Sequence, residues 1–331
     1  MAEDKDKLTQ HTEAIVKSER HIQEEVDRRE EGGSGPPKGG KPMQAGQREY
    51  PANFPKQHLQ KPGLEAELEV KPMYEAPYYK GSGKLEDMVA LITGGDSGIG
   101  RAVAVLYARE GADIAIVYLN EHVDAEETKR AVQKEGRRCI LMAGDVAHRG
   151  FCQSAVEKTV SEFGKLDILV SNAAYQEHVK DFLELTEEHF NRTVKTNLYG
   201  TFHITQAAVP HIKPKGSIIM TGSETGIFGN KYLLDYSMTK GGIHAFARLL
   251  SAHLIPRGIR VNVVAPGPVW TPLNPADKPA EIIQSFGSHT AMGRAAQPEE
   301  IAPAYVFLAA PTMSSYITGE IIPIIGGYSG G

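Results

Sequence analysis

A doubly wound α/β fold, with about seven parallel strands and helices on both faces, is predicted by three features of this chain. From Lys84 onward, short β-branched runs alternate with amphipathic stretches of helical period. The first run leads through a glycine turn directly into the first helix. Ahead of Lys84 the composition is that of a tail and an arm rather than a packed core.

Residues 1–48 interleave acids and bases and end in EEGGSGPPKGGKPMQAG, which holds too little apolar surface to offset chain entropy. A disordered or transiently helical tail is expected there. Leu8, Ile15 and Ile22 recur every seven residues, but Thr12 and Glu19 between them are polar and argue against a coiled coil. In residues 49–83, prolines mix with Tyr50, Phe54, Tyr74, Tyr78 and Tyr79 without a helical or strand period. Such aromatics are out of place in a solvated linker, so an extended arm lying on its own or a neighbouring subunit is expected. Strands follow at MVALIT (88–93), ADIAIVY, RRCILMAGD, KLDILVSNAA, KGSIIMTGS, IRVNVVAPG and GEIIPIIGG, with helices such as GRAVAVLYAREG and HVDAEETKRAVQKEG between them. Pro323 cannot donate to a ladder, which puts the last strand at a sheet edge.

A chain of 331 residues can bury a large core, and a formal charge of −5 gives no reason to invoke nucleic acid or a membrane surface. The two cysteines, Cys139 and Cys152, form no C-x-x-C pair, so neither a disulfide framework nor a thiolate metal site is indicated. The opening MAEDKDKLTQ lacks the apolar core of a signal peptide, and no apolar run reaches the roughly 18 residues a bilayer span needs. A cytoplasmic setting is expected. The histidines show no H-E-x-x-H or similar spacing, and no metal site is indicated.

Two motifs carry chemistry. In TGGDSGIG, Gly94, Gly98 and Gly100 permit a tight turn between strand and helix and the close approach of a pyrophosphate, whose charge the helix N-terminus stabilises. Further on, Tyr236 and Lys240 lie four residues apart on one helix face, so an ammonium can sit beneath a phenol and favour its ionised form. Ser223 ends the run GSIIMTGS, where its hydroxyl could share a substrate oxygen with Tyr236.

Together with Asp145-Val146, the SNAA stretch at 171–174, Asn197 and PGPVWT at 266–271, these motifs resemble the short-chain dehydrogenase/reductase family in order and spacing over residues 84–331. The N-terminal extension, GSGKL and TGGDSGIGRAVA resemble its general stress protein or glucose/ribitol dehydrogenase-like subgroup. The resemblance implies a Rossmann-type domain over 84–331 and a catalytic tetrad of Asn197, Ser223, Tyr236 and Lys240. Tyr236 would be the acid/base, and Ser223 would orient the carbonyl or alcohol. Lys240 would lower the Tyr pKa and bind nicotinamide ribose, and Asn197 would hold a relay water. The cofactor would lie along Gly94, Asp96, Ser97, Gly98, Ile99 and Gly100. Asp145 and Val146 would sit beside adenine, Asn172, Ala173 and Ala174 along the ribose, and Pro266, Gly267, Val269 and Thr271 near the carboxamide. A homotetramer is implied, with the final GGYSGG near an interface.

Cofactor choice turns on Tyr118, Leu119 and Asn120 at the end of the second strand. No arginine at Ser97 or Leu119 clamps a 2′-phosphate, and no acid there excludes one; the reading favours NAD over NADP. Substrate contacts are expected from Ser223, Gln176, Glu224 and Trp270, with the loop 270–293 carrying a short mobile helix that closes over the ligand. Small aldehydes, ketones or a sugar alcohol fit that lining. An NAD(P)-dependent oxidoreductase of alcohols and carbonyls is therefore expected. The alternatives are a catalytically silent stress or scaffold protein and a nucleotide-sugar epimerase, but the epimerase pattern of G-x-x-G-x-x-G is absent.

Overall fold

A computed structural model describes residues 42–327. The readings for residues 1–41 and for the last four residues lie outside the described residues.

Seven strands form one sheet: β1 (Val89–Thr93), β2 (Asp113–Tyr118), β3 (Cys139–Ala143), β4 (Leu166–Ser171), β5 (Ile212–Thr221), β6 (Arg260–Pro266) and β7 (Ile321–Ile324). Their order is β3-β2-β1-β4-β5-β6-β7, and every neighbouring pair is parallel. Pro323 lies in the edge strand β7, as its missing N–H requires.

The helices of eight or more residues are α1 (Gly98–Arg109), α2 (His122–Lys134), α3 (Arg149–Phe163), α4 (Glu187–Val194), α5 (Gly200–Ala208), α6 (Leu234–Leu254) and α7 (Pro298–Ala309). Successive strand side chains point to opposite faces, and the packing follows that alternation. Ala90, Ile92, Ile114 and Ile116 face one core with the buried sides of α1, α2 and α7. Leu91, Ala115 and Val117 face the other with those of α3, α5 and α6. All five residues of β1 are buried, which is why it reads as an unbroken apolar run. Chain order reverses between β1 and β4, and the crevice outside their carboxyl ends is where ligands bind in such sheets.

The arm crosses its own domain with a single 3₁₀ turn at Glu65–Glu67. Three of its tyrosines are anchored by acids. The Tyr50 hydroxyl donates to Glu299 at 3.0 Å, that of Tyr74 to Glu127 at 3.3 Å, and that of Tyr79 to Glu110. A third apolar cluster, apart from both sheet faces, joins Phe54, Leu59 and Leu68 of the arm to Trp270, Ala276, Ile283, Phe286 and Ala295.

Candidate active site

A cavity of about 540 Å³ opens at the β1/β4 switch point. Its floor is the glycine turn. Gly94 and Gly98 have φ of +61° and +49°, and a Cβ on Gly98 would sit 2.9 Å from Thr271 Cγ2. A Cβ on Gly100 would lie 1.9 Å from the Gly94 carbonyl, so the turn closes on its helix only with glycine there. Asn172 locks the floor to the sheet: its Nδ2 donates to Gly94 O (2.9 Å), its N–H to Thr93 Oγ1 (2.9 Å), and its Oδ1 accepts from Thr221 Oγ1 (3.0 Å).

Ser223, Tyr236 and Lys240 meet across from this turn in the same cavity. Ser223 leaves the end of β5, and its Oγ accepts from Thr225 N (3.1 Å) and Thr225 Oγ1 (3.0 Å). With both acceptor positions filled, its own proton is directed elsewhere, and the Ser223 hydroxyl acts to lower the Tyr236 pKa. Tyr236 and Lys240 share one face of α6, with the Lys240 Nζ 5.4 Å from the phenol ring centre and donating to Thr221 O at 2.7 Å. Burial pulls the Lys240 pKa down to about 7.

The phenol itself behaves differently from expectation. Burial raises its pKa, with Asp277 and Glu224 adding to the rise, and only the Ser223 hydrogen bond opposes it. The anticipated lowering by Lys240 is absent from the polypeptide's own balance, because burial brings the Lys240 pKa down to about 7 and the amine has lost its charge before the phenol ionises.

Most of the residues expected along a cofactor path line this cavity. They are Gly94, Asp96, Ser97, Gly98, Ile99, Tyr118, Leu119, Asp145, Val146, Asn172, Ala173, Ala174, Pro266, Gly267, Val269 and Thr271. Gln176 and Glu224 line it too. Gly100 and Asn120 do not: Gly100 is the close-packing position just described, and the Asn120 N–H is turned to Glu121 Oε2 (2.9 Å). Asn197 is fully buried outside the cavity, in a wide helical turn over Lys195–Tyr199. Its amide grips the Tyr175 backbone in both directions (2.8 and 2.9 Å) and donates to Thr239 Oγ1 (3.0 Å), so the side chain positions Tyr175. Trp270, expected among the substrate contacts, is also fully buried outside the cleft, under Phe54 of the arm. The Gln176 amide is likewise committed, donating to Asp277 Oδ2 at 2.7 Å.

Four residues went unrecognised. Glu121 lines the cavity, and its carboxylate accepts from the N–H groups of Leu119 (3.1 Å) and Asn120 (2.9 Å); the signal was an acid three positions beyond β2. His244 follows Tyr236 and Lys240 at the same four-residue stride along α6 and accepts from Ser223 N at 3.4 Å, its pKa lowered to about 4 mainly by burial. Asp277 is buried and takes Gln176 and His178; Arg192 holds Asp145 Oδ2 at 2.9 Å. Glu224 has no hydrogen-bond partner for its carboxyl among the described residues, and burial raises its pKa to about 7. Glu177, His178 and Asp277 bring ligand atoms within 4.8 Å of one another, but Lys61 and Lys278 already pair with two of them at 3.2 Å.

A glycine turn at a parallel-sheet switch point, sharing one cavity with Ser223, Tyr236 and a buried Lys240, is the arrangement of a nucleotide-dependent oxidoreductase. The family model described as Enoyl-(Acyl carrier protein) reductase matches residues 94–329. General stress protein 39 of Bacillus subtilis (strain 168) is 52% identical over 279 residues, covering 84% of this chain and 97% of its own. Glucose and ribitol dehydrogenase homolog 2 of Arabidopsis thaliana is 45% identical over 283 residues, covering 83% of this chain and 98% of its own. A short chain dehydrogenase from Burkholderia cenocepacia J2315, solved in complex with NADP, superposes with a TM-score of 0.69 at 31% identity, covering 74% of this chain and 98% of that one. The chain belongs to the short-chain dehydrogenase/reductase family.

Proposed function

We propose that this protein interconverts a small aldehyde, ketone or polyol and its redox partner, using NAD(P) and with Tyr236 as the acid/base. The observation that carries this reading is the meeting of Ser223, Tyr236 and Lys240 with the glycine turn in one cavity. The turn fits a dinucleotide: positive-φ glycines leave backbone where a side chain would intrude, beside the start of α1, whose Gly98 N–H is already held by the Glu65 carboxylate at 2.7 Å. Gly94 to Ile99 would hold the pyrophosphate, Asp145 and Val146 the adenine, Lys240 the nicotinamide ribose, and Val269 and Thr271 the carboxamide. When bound, the cofactor supplies or accepts the hydride.

Ser223 and Tyr236 together would grip the substrate oxygen. A phenol held above its ordinary pKa keeps its proton, the state required to protonate a carbonyl oxygen as it is reduced. Alcohol oxidation needs the reverse: a protonated Lys240 and an oxidised nicotinamide would have to undo that rise and then bring the phenol roughly 3 pH units below its ordinary value, the second part alone being about 4 kcal/mol. The polypeptide alone therefore supports carbonyl reduction at neutral pH. At the expected adenosine end, Glu121 lines the cleft, and its carboxylate would disfavour the extra phosphate of NADP, which supports NAD.

Exposed apolar residues on α5 and α6, among them Phe202, Met238 and Leu249, support a homotetramer packed through those helices, which light scattering would test. Both cysteines are free and buried, in keeping with a cytoplasmic setting; fractionation would test that placement. The deciding assay incubates purified protein with NADH or NADPH and an aldehyde panel, with Tyr236→Phe as control. Turnover lost in the variant supports the reading; inactivity across the panel despite tight cofactor binding would point instead to a silent scaffold.

A further inference from the structure

We infer that residues 54–68 of the arm are a strap that fixes the substrate loop over the cleft, with Phe54 as its positioning residue; the inference rests on the oxidoreductase reading for its kinetic part only. The loop after β6 has little structure of its own, its longest helix being the four residues Ala280–Ile283, and so short a helix is not self-sustaining. The arm supplies what is missing. Phe54 N donates to Gln284 O (3.2 Å), Leu59 N donates to Pro275 O (3.0 Å), and His58 Nδ1 lies 3.0 Å from Lys278 O.

The apolar contacts run in a line from the arm to the cleft. The Phe54 ring stacks on Trp270, with centroids 3.8 Å apart and planes within 11°. The indole N–H of Trp270 donates back to the arm at Val70 O (2.8 Å). Trp270 in turn meets Phe286, with ring centroids 6.3 Å apart, and Phe286 lines the cavity. Displacing Phe54 therefore loosens a wall of the cleft without touching the glycine turn or Tyr236. The arm also enters the cleft directly through Lys61, Pro62 and Gly63. At its far end the Glu65 carboxylate accepts from Gly98 N at 2.7 Å, so the strap ties the loop to the rigid wall opposite.

Trp270 is the chain's single tryptophan, which makes its fluorescence a direct reporter of the strap. The test compares full-length wild type with Phe54→Ala and Phe54→Tyr, measuring acrylamide quenching of Trp270 with and without NAD⁺, NAD⁺ affinity, and KM and kcat for an aldehyde. Wild-type Trp270 should be shielded and equally so with NAD⁺. Phe54→Ala should raise quenching severalfold and KM by about tenfold or more, with NAD⁺ affinity and kcat each held within about threefold, and Phe54→Tyr should restore both readouts. Should Phe54→Ala fail to fold, Phe54→Leu, which keeps bulk but loses the stack, gives the same comparison in milder form. Unchanged quenching in the variant overturns the strap, as does a wild-type Trp270 that opens on ligand binding. Exposure of Trp270 with KM unmoved overturns its positioning role. If no aldehyde is turned over, the oxidoreductase reading fails, while the quenching arm still decides whether the strap exists.

Discussion

The two walls of the cleft are held by different physics. One is the carboxyl edge of the sheet, where β1, β4 and β5 deliver the glycine turn, Asn172 and Ser223 from buried C-terminal strand ends. The other is the loop 270–293, which has no long helix or ladder of its own and leans on an arm from the far end of the sequence. On the function proposed above, the groups that handle the proton belong with the first wall, and those that would choose a substrate with the second. Damage to the sheet wall should therefore abolish chemistry or cofactor binding. Damage to the strapped wall should change selectivity and KM.

The largest expected effect is at the sheet wall. Gly100→Ala places a methyl on the Gly94 carbonyl, and dinucleotide binding by calorimetry should fall by at least about 100-fold. An affinity within threefold of wild type would show that the turn is more pliant than its packing implies. Next, Lys240→Met removes the buried amine and its bond to Thr221 O, and turnover should drop about 10²- to 10³-fold. A weaker effect than Phe54→Ala would reverse the ranking of the two walls.

A smaller effect concerns pH. Lys240 is lowered to about 7 from 10.5, so it gains its proton as pH falls through about 7. Asp96 and Glu224 are both raised to about 7, largely by burial, and lose their negative charge over the same interval. All three changes make the cleft more positive, so affinity for the anionic dinucleotide should rise about three- to tenfold from pH 8.5 to 6. A flat profile would show that these groups lie too far from the phosphates to matter. The smallest effect is expected from Glu121→Gln, which removes one charge at the adenosine end and should shift the NADP-to-NAD preference by a few-fold toward NADP, read from KM ratios.

The legibility of the two walls in the sequence followed the same division. β1, the glycine turn and the Tyr236/Lys240 stride could be read because each is a local pattern: an apolar run, a spacing of glycines, a helical period. Even the edge position of β7 followed from one residue, Pro323. The second wall could not be read in this way. Trp270 looked like a cleft residue because it follows the PGPV turn, and nothing near it discloses that Phe54 covers its ring. Asn197 and Gln176 were picked as polar residues of the site, but whether an amide faces the cavity or a backbone carbonyl depends on the wide turn at Lys195–Tyr199 and on Asp277, neither of which has a sequence period. Glu121 was overlooked because the ribose-facing acid was sought at the end of β2 itself, whereas this carboxylate reaches back to the turn.

The most direct test is a single-turnover experiment with NADH or NADPH already bound, following cofactor oxidation on mixing with an aldehyde, for wild type and Tyr236→Phe. The account predicts that the variant binds the cofactor within about twofold of wild type and oxidises it about 10²- to 10⁴-fold more slowly. Equal rates in the two proteins would show that the proton comes from elsewhere and would contradict the role given to Tyr236.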